Sequence, residues 1–470
     1  MGGIALAQGD GLIYVAVEAK DVVVIGGGFA GLSAGVALAE RGFRVALLEA
    51  KPALGGRAYS FADSESEDFV DNGQHVLLGC YRETLDFLGR IGMRDRLIVH
   101  RNLEIEMLDG PGSRALLRAA PLPGPLHMAA GILGYRHLTP GQRLGVVRAG
   151  TRLMYLRRLD RRRLARMSVA ELMDSTRQSE RARKCFWEPL AIATLNEDPE
   201  LASAALLAEV MKRAFFSRRR DSAFVYSTVG LSDLYCGAAR AFIEKRDGVV
   251  ANHSIVDGFD LEAGGSIAAA RLRDGRRLRA ASFIAAVPPH QLLKMLPEGL
   301  ISEPFFAPIG SLKSSPIICV HVWLDREVTR SAFVGFIGTT TQWLFNKRRI
   351  FSQHGARHPG YLSFVISGAR KLVDEPNEEL LDLVMNDLRS MIPAARQARI
   401  VRALVLKEKH ATIAPDADSD VNRPPTATPV PNLFLAGDWI QTGLPATIES
   451  AVASGNAAAR AVAARVDLWN

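Results

Sequence analysis

Hydrophobic patterning is sharpest from Asp21, where Val22, Val23, Val24 and Ile25 form a β-branched run with no polar break. Such a run suits a strand buried on both faces of a sheet, as parallel sheets covered by helices require. Glycines follow at once as Gly26-Gly27-Gly28-Phe29-Ala30-Gly31, and a helix-length stretch occupies 32–41. The next apolar run, 43–48, predicts a second strand that ends at Glu49 and Ala50. The result is a βαβ unit with Gly26-x-Gly28-x-x-Gly31 at its first turn and an acid 21 residues after Gly28. In such a unit Gly26 permits the tight turn, Gly28 lets a pyrophosphate approach the backbone, and Gly31 lets helix and strand touch. A carboxylate at Glu49 can accept hydrogen bonds from both ribose hydroxyls and repels a 2′-phosphate, which selects the NAD or FAD type of adenosine.

Further along, the period changes. Over 138–183 the apolar residues Leu144, Val147, Leu153, Leu156, Leu159 and Leu164 alternate with Arg143, Arg148, Arg152, Arg157, Arg158 and Arg166, which predicts helices. A second basic run is Arg218-Arg219-Arg220. Residues 249–289 read as strands and a hairpin, with turns predicted at Asp257-Gly258, Gly264-Gly265 and Asp274-Gly275. More strands are predicted at 317–324, 361–366 and 433–436, and a helix at 378–390. No window reaches the roughly 20 apolar residues needed to span a bilayer, because Pro121, Pro123 and Pro125 break the longest stretch, 119–135.

Composition narrows the class. With 470 residues, 48% hydrophobic and 23% charged, the chain is neither disordered nor collagen-like, and it is long enough for two or three domains. Cys80, Cys185, Cys236 and Cys319 lie far apart with no metal-ligand spacing, so neither a zinc site nor a disulfide framework is expected, and a reducing cytoplasm fits. Residues 1–20 are expected to be a disordered extension; 1–19 lack the basic residues of a secretory signal. The 58 Lys and Arg against 50 Asp and Glu give a net charge of +8, which suits an anionic partner.

Two more segments carry cofactor chemistry. In Leu54-Gly55-Gly56-Arg57-Ala58-Tyr59 a glycine pair and a guanidinium can approach phosphate or a flavin ring. Near the C-terminus, Leu435-Ala436-Gly437-Asp438-Trp439 leads to Thr447-Ile448-Glu449-Ser450 and a small-residue helix, whose N-terminal amides form a second anion and carbonyl site. With these three devices the chain resembles the FAD-dependent amine oxidase and phytoene desaturase superfamily. The resemblance implies that FAD is the cofactor and that Glu49 holds the adenosine ribose. It places Gly55, Gly56 and Arg57, beside Ala58, at the pyrophosphate and flavin, and Asp438 at the ribityl chain or pyrophosphate. Thr447 and Ile448 would face the pyrimidine edge, and the backbone of Val256 would reach adenine, with Ile255 as the alternative register.

Amine oxidases of that superfamily place an aromatic cage residue where Thr447 stands, which argues against an amine substrate. Instead, Asp71-Asn72-Gly73-Gln74-His75, Phe186-Trp187-Glu188-Pro189 and the C-terminal motif resemble the squalene-associated FAD-dependent desaturases of bacterial hopanoid synthesis, a group of hydroxysqualene dehydroxylases. That chemistry needs a proton at the leaving oxygen, a stabilised allylic cation and a hydride from reduced flavin. Asp71, His75 and Glu188 are the candidate acids, and each also has a structural reading: a turn cap, a core histidine and a helix-end ion-pair partner. Lys407 and Lys409 are further candidates, and Trp187, Phe215, Phe216 and Trp343 are candidate walls for a cation-tolerant tunnel.

The expected fold is α/β: a discontinuous Rossmann-type FAD-binding domain (21–100, 235–290 and 405–470), a helical, membrane-facing substrate lobe (101–234), and an inserted mixed-sheet substrate domain (291–404). The apolar stretch 119–135 beside the arginines predicts an anionic membrane surface as partner, with the protein peripheral on the inner face of the cell membrane. No nucleic-acid motif accompanies the arginines, and no metal site is expected. A carotenoid-type desaturase and a non-catalytic isoprenoid carrier remain the alternatives.

Overall fold

The run at 22–25 becomes the strand Asp21–Ile25 at the centre of a five-stranded parallel sheet. The structure, a computed structural model, describes residues 21–351, 358–416 and 419–467. The extension expected at 1–20 lies outside the described residues. Across the sheet the order is Val249–Ala251, Arg44–Leu48, Asp21–Ile25, Ser282–Ala285 and Leu433–Leu435, every pairing parallel. This is a doubly wound sheet assembled from chain segments more than 200 residues apart, as the discontinuous domain requires.

Helix Phe29–Glu40 covers one face and packs along the C-terminal helix Ile448–Asp467. Its close seat depends on Gly31, because a Cβ there would lie 1.8 Å from the carbonyl oxygen of Gly26.

A second, seven-stranded mixed sheet runs in the order Ile400–Ile413, Ser314–Leu324, Gly360–Ser367, Trp343–Asn346, Phe333–Phe336, Glu104–Leu108 and Arg114–Arg118. Helix Asn377–Met391 covers one of its faces through Leu380, Val384, Met385 and Leu388. Three domain expectations are corrected here. The hairpin Glu104–Leu108 and Arg114–Arg118, placed in the helical lobe 101–234, instead completes the edge of this sheet, where its alternating apolar residues find a partner. The strand Ile400–Ile413 crosses the boundary drawn at 405 and belongs to the same sheet. Leu292, Met295, Leu296, Phe306 and Ile309, assigned to the substrate domain, pack in one core with Val23, Ile25 and Phe283 of the cofactor sheet.

The lobe itself is helical between 126 and 222, in pieces that run from three residues to the twenty of Pro140–Leu159, before the strand Phe224–Ser227. Thr139 and Ser168 each close a capping box, and Arg177 turns left-handed at φ 53°. A one-turn π-helix, Arg183–Trp187, then leads into helix Glu188–Leu195. Among the predicted turns, Gly264-Gly265 and Asp274-Gly275 connect antiparallel strands, whereas Asp257-Gly258 lies inside the strand Val256–Leu261 at a register shift. Among the described residues no helix is long and apolar enough to cross a membrane.

Candidate active site

The two glycine turns predicted to hold a dinucleotide face each other. A Cβ on Gly56 would come 3.1 Å from the Cα of Gly28, so the gap between the turns is bare backbone on both walls. Glu49 ends the second strand buried beneath this gap; its carboxylate accepts from the Gly27 N–H at 2.7 Å and the Lys51 N–H at 2.8 Å. Ala50 beside it is exposed. Phe29 and Ala30 are buried, and the Phe29 ring stacks on Tyr235 at 3.7 Å, so both can meet a cofactor only through backbone. Tyr235, which sequence reading missed, donates to the carbonyls of Gly55 at 2.8 Å and Ala58 at 2.9 Å and so pins the Arg57 loop from below.

The structure joins the second and third devices directly. Arg57 donates to the Asp438 carboxylate at 2.5 Å and to the carbonyl of Ala411 at 3.1 Å. The Gly437-Asp438 turn is in turn organised by Arg423, a buried residue not singled out in the sequence, which donates to the carbonyls of Asp438 and Leu444, each at 2.5 Å. Thr447 caps helix Ile448–Asp467, accepting from the Ser450 N–H at 3.2 Å, and leaves the amides of Ile448 and Glu449 at the helix start. Tyr81 bonds to Thr447, and burial pushes its phenol well above the usual tyrosine range, so it stays a neutral donor. Of the two adenine candidates, Ile255 has its carbonyl taken by the Arg273 N–H at 2.9 Å, while Val256 pairs with Leu272. A bare-backbone gap, a buried carboxylate and a helix N-terminus are what a dinucleotide carrying a flavin needs, and the residues present fit it.

Next to the Arg57 loop lies a buried polar group. Asp71 ends the strand Phe69–Asp71 and is almost fully buried; one carboxylate oxygen accepts the Leu231 N–H at 3.1 Å and the other accepts from Lys347 at 2.7 Å. Lys347 has no exposed side-chain surface. It also donates to Gln74 at 2.7 Å, and its ammonium stands 4.0 Å from the centre of the Phe351 ring. His75 is one residue beyond Gln74 and keeps some accessible surface. Burial lowers its pKa, Asp71 opposes that, and Lys347 reinforces it. Asp71 is therefore committed to a helix cap and an ion pair, whereas His75 is the candidate with a face left open.

The remaining candidates do not converge here. The charges around Glu188 are Glu200, Lys184, Arg183 and Glu180, all in the helical lobe; burial raises its pKa, and Glu200 adds to that. Lys407 donates to the carbonyl of Glu375 and Lys409 pairs with Asp374 at 2.6 Å, so both are occupied on the helix-covered side. Trp187 is buried in the lobe core and donates to Gln178 at 2.8 Å, and Phe215 belongs to the same core. Trp343 and Phe216 stay partly exposed at the edge of that core. A cavity of about 380 Å³ is lined by Phe69, Met93, Val229, Phe351, Arg96 and Asp233 among others, so Phe351 is in its wall as well as beside Lys347.

Comparison with known proteins bears on the family and the fold. The family model described as flavin containing amine oxidoreductase matches residues 29–463. The chain is 28% identical to a hydroxysqualene dehydroxylase of Rhodopseudomonas palustris over 95% of this chain and 99% of that one. It is 23% identical to a 15-cis-phytoene desaturase of Synechococcus elongatus, over 95% and 96% of the two chains. Among solved structures, the cyclohexylamine oxidase of Brevibacterium oxydans superposes with a TM-score of 0.70 at 15% identity, over 96% and 99% of the two chains. That last likeness concerns the fold.

Proposed function

The chain belongs to the flavin-containing amine oxidoreductase family, and from that premise we propose that it reductively removes the allylic hydroxyl of hydroxysqualene to give squalene. The observation that carries the reading is the polar group at His75, Asp71 and Lys347, set beside the Arg57 loop in a site whose C-terminal motif has Thr447 in place of an aromatic cage residue. Whole-length similarity to hydroxysqualene dehydroxylases supports it. In the reaction the carbon–oxygen bond breaks, a carbon–hydrogen bond forms, and the hydroxyl leaves as water after taking one proton. Bound FAD, once reduced, supplies the hydride and its two electrons, which an external two-electron reductant replaces.

The chain's own residues do the rest. Glu49, the Gly28 and Gly56 backbones, Arg57 and the Thr447 helix end bind and orient the cofactor. His75 delivers the proton: because burial lowers its pKa, its protonated form is a stronger acid than an exposed imidazolium. Incubating the FAD-loaded protein with hydroxysqualene and dithionite under anaerobic conditions should yield squalene; no squalene with fully reduced flavin overturns the reading. Conversion of phytoene by the oxidised FAD-loaded protein, anaerobically and without dithionite, with the flavin taking up the two electrons the substrate loses, would instead assign the desaturase reaction.

The lipid substrate implies a lipid surface. Helix Pro140–Leu159 presents Leu144, Arg148, Arg152, Tyr155 and Leu159 at successive three- and four-residue steps, which places them on one exposed stripe. Leu126 and Leu133 of the preceding helix are exposed as well. Apolar side chains interleaved with arginine suit an anionic bilayer, so the lobe is the docking face and the protein is peripheral on the inner side of the cell membrane. Flotation with vesicles containing anionic phospholipid tests this; equal soluble fractions with anionic and neutral vesicles at low salt refute it.

A further inference from the structure

Lys347 stands where a buried charge is hardest to keep. Taking an ammonium and a carboxylate out of water costs several kcal/mol per ion, and well-packed apolar residues often serve stability as well or better. What the charge does here is bridge two sides of one turn. Lys347 donates to Asp71 on one side and Gln74 on the other, each at 2.7 Å, and the turn between them is Asn72-Gly73. Asn72 in turn grips the cofactor loop three times: its N–H donates to the Tyr59 carbonyl at 2.9 Å, its Oδ1 accepts the Tyr59 N–H at 3.1 Å, and its Nδ2 donates to the Arg57 carbonyl at 2.9 Å. Lys347 itself begins the turn after the strand Trp343–Asn346 of the seven-stranded sheet. A single ammonium thus ties that sheet to the loop that carries Arg57.

We propose that Lys347 is a positioning residue of the reaction centre, clamping Asp71 to Gln74 so that the turn between them holds the Arg57 loop on one side and aims the His75 imidazole on the other. The inference rests on the proposed reading only in taking His75 as the group that faces the substrate. The electrostatic partners of His75 among the described residues are Asp71 and Lys347, which act on it in opposite directions. Three further titratable groups packed near the turn are held neutral by burial, and the carboxylates of Asp63 and Asp68 act within this group and not on His75. Cys319 is pushed up to about 11 and His321 down to about 3, while Tyr361, bonded to His321 at 3.0 Å, lies well above the usual tyrosine range. Burial lowers the His75 pKa most, and the charges that act on it beyond burial are those of one buried pair.

The test is a proton titration of His75 that needs no turnover. In FAD-loaded protein carrying histidine labelled with carbon-13 at Cε1, the His75 signal is identified by its loss in His75→Gln. Asp71→Asn leaves Lys347 unopposed and should lower the His75 midpoint by about one pH unit, while Lys347→Met leaves Asp71 unopposed and should raise it by a similar amount. The double variant removes both charges and should fall between the two, and Lys347→Arg, which keeps the charge, should stay near the parent. A shift of both single variants in the same direction, or of neither, overturns the proposal. If Lys347→Met does not fold, Asp71→Asn decides alone: a midpoint unmoved or raised overturns it. Failure to convert hydroxysqualene would sink the functional reading and leave this titration unchanged.

Discussion

The cofactor site and the site proposed for the substrate are built from different materials. At the first, the walls are backbone: Gly28 faces Gly56, and the helix amides after Thr447 do the binding. At the second, the walls are side chains brought from distant segments, with Lys347 on Asp71 across 276 positions of the chain. A backbone site fails when a side chain intrudes; a side-chain site fails when one charge loses its partner.

The largest effect expected from that difference is at the second site. Lys347→Met should destabilise the fold by about 3–5 kcal/mol, because it strands a buried carboxylate, whereas the Lys347→Met/Asp71→Asn double variant should recover most of that loss. Thermal unfolding of the two variants checks it, and equal losses would mean that the pair is not coupled. Next comes intrusion at the first site. Gly31→Ala places a methyl against the Gly26 carbonyl and should cost about 1–3 kcal/mol together with most of the bound flavin, read as the loss of visible absorbance in the purified protein. Glu49→Gln keeps the shape and removes the charge; FAD should bind about tenfold more weakly by fluorescence titration, with the fold intact. The smallest change is at Lys409, whose exposed pair with Asp374 should be dispensable: Lys409→Ala should leave melting temperature and FAD content at parental values, and any loss of activity would return this lysine to the site.

The pH dependence sharpens the same contrast. His75 has a lowered pKa in the folded protein, chiefly through burial, so it gains its proton at a lower pH than an exposed imidazole does. Turnover limited by proton delivery should therefore rise on acidification through and below the ordinary imidazole pKa, and His75→Gln should abolish that limb while Lys409→Ala leaves it in place.

How legible each region was follows from range. The turn from Ile25 to Gly31 and the acid at Glu49 sit in one βαβ unit, where local spacing implies geometry, and the structure places them together. The helix at 378–390 was readable for the same reason and forms as Asn377–Met391. The edge hairpin at 104–118 was not, because its strands are stabilised by pairing with Phe333–Phe336, which nothing local announces. Among the candidate acids, residue type alone could not separate Asp71, His75 and Glu188; their partners did, and those partners are Leu231, Lys347 and the charges of the helical lobe. Tyr235, Arg423 and Lys347 left no signal beyond being aromatic or basic, since each acts through a contact with a remote segment.

By itself, then, the sequence determined the dinucleotide unit, because glycine spacing and a strand-end acid restrict backbone geometry within one βαβ unit, while FAD and the family rested on the resemblance that the three motifs carry together. Tertiary structure decided which polar groups share a space. It made Asp71 a buried anchor, left a face of His75 open, and put an ammonium from beside the seven-stranded sheet between Asp71 and Gln74, because a buried charge persists only where the fold brings it a partner.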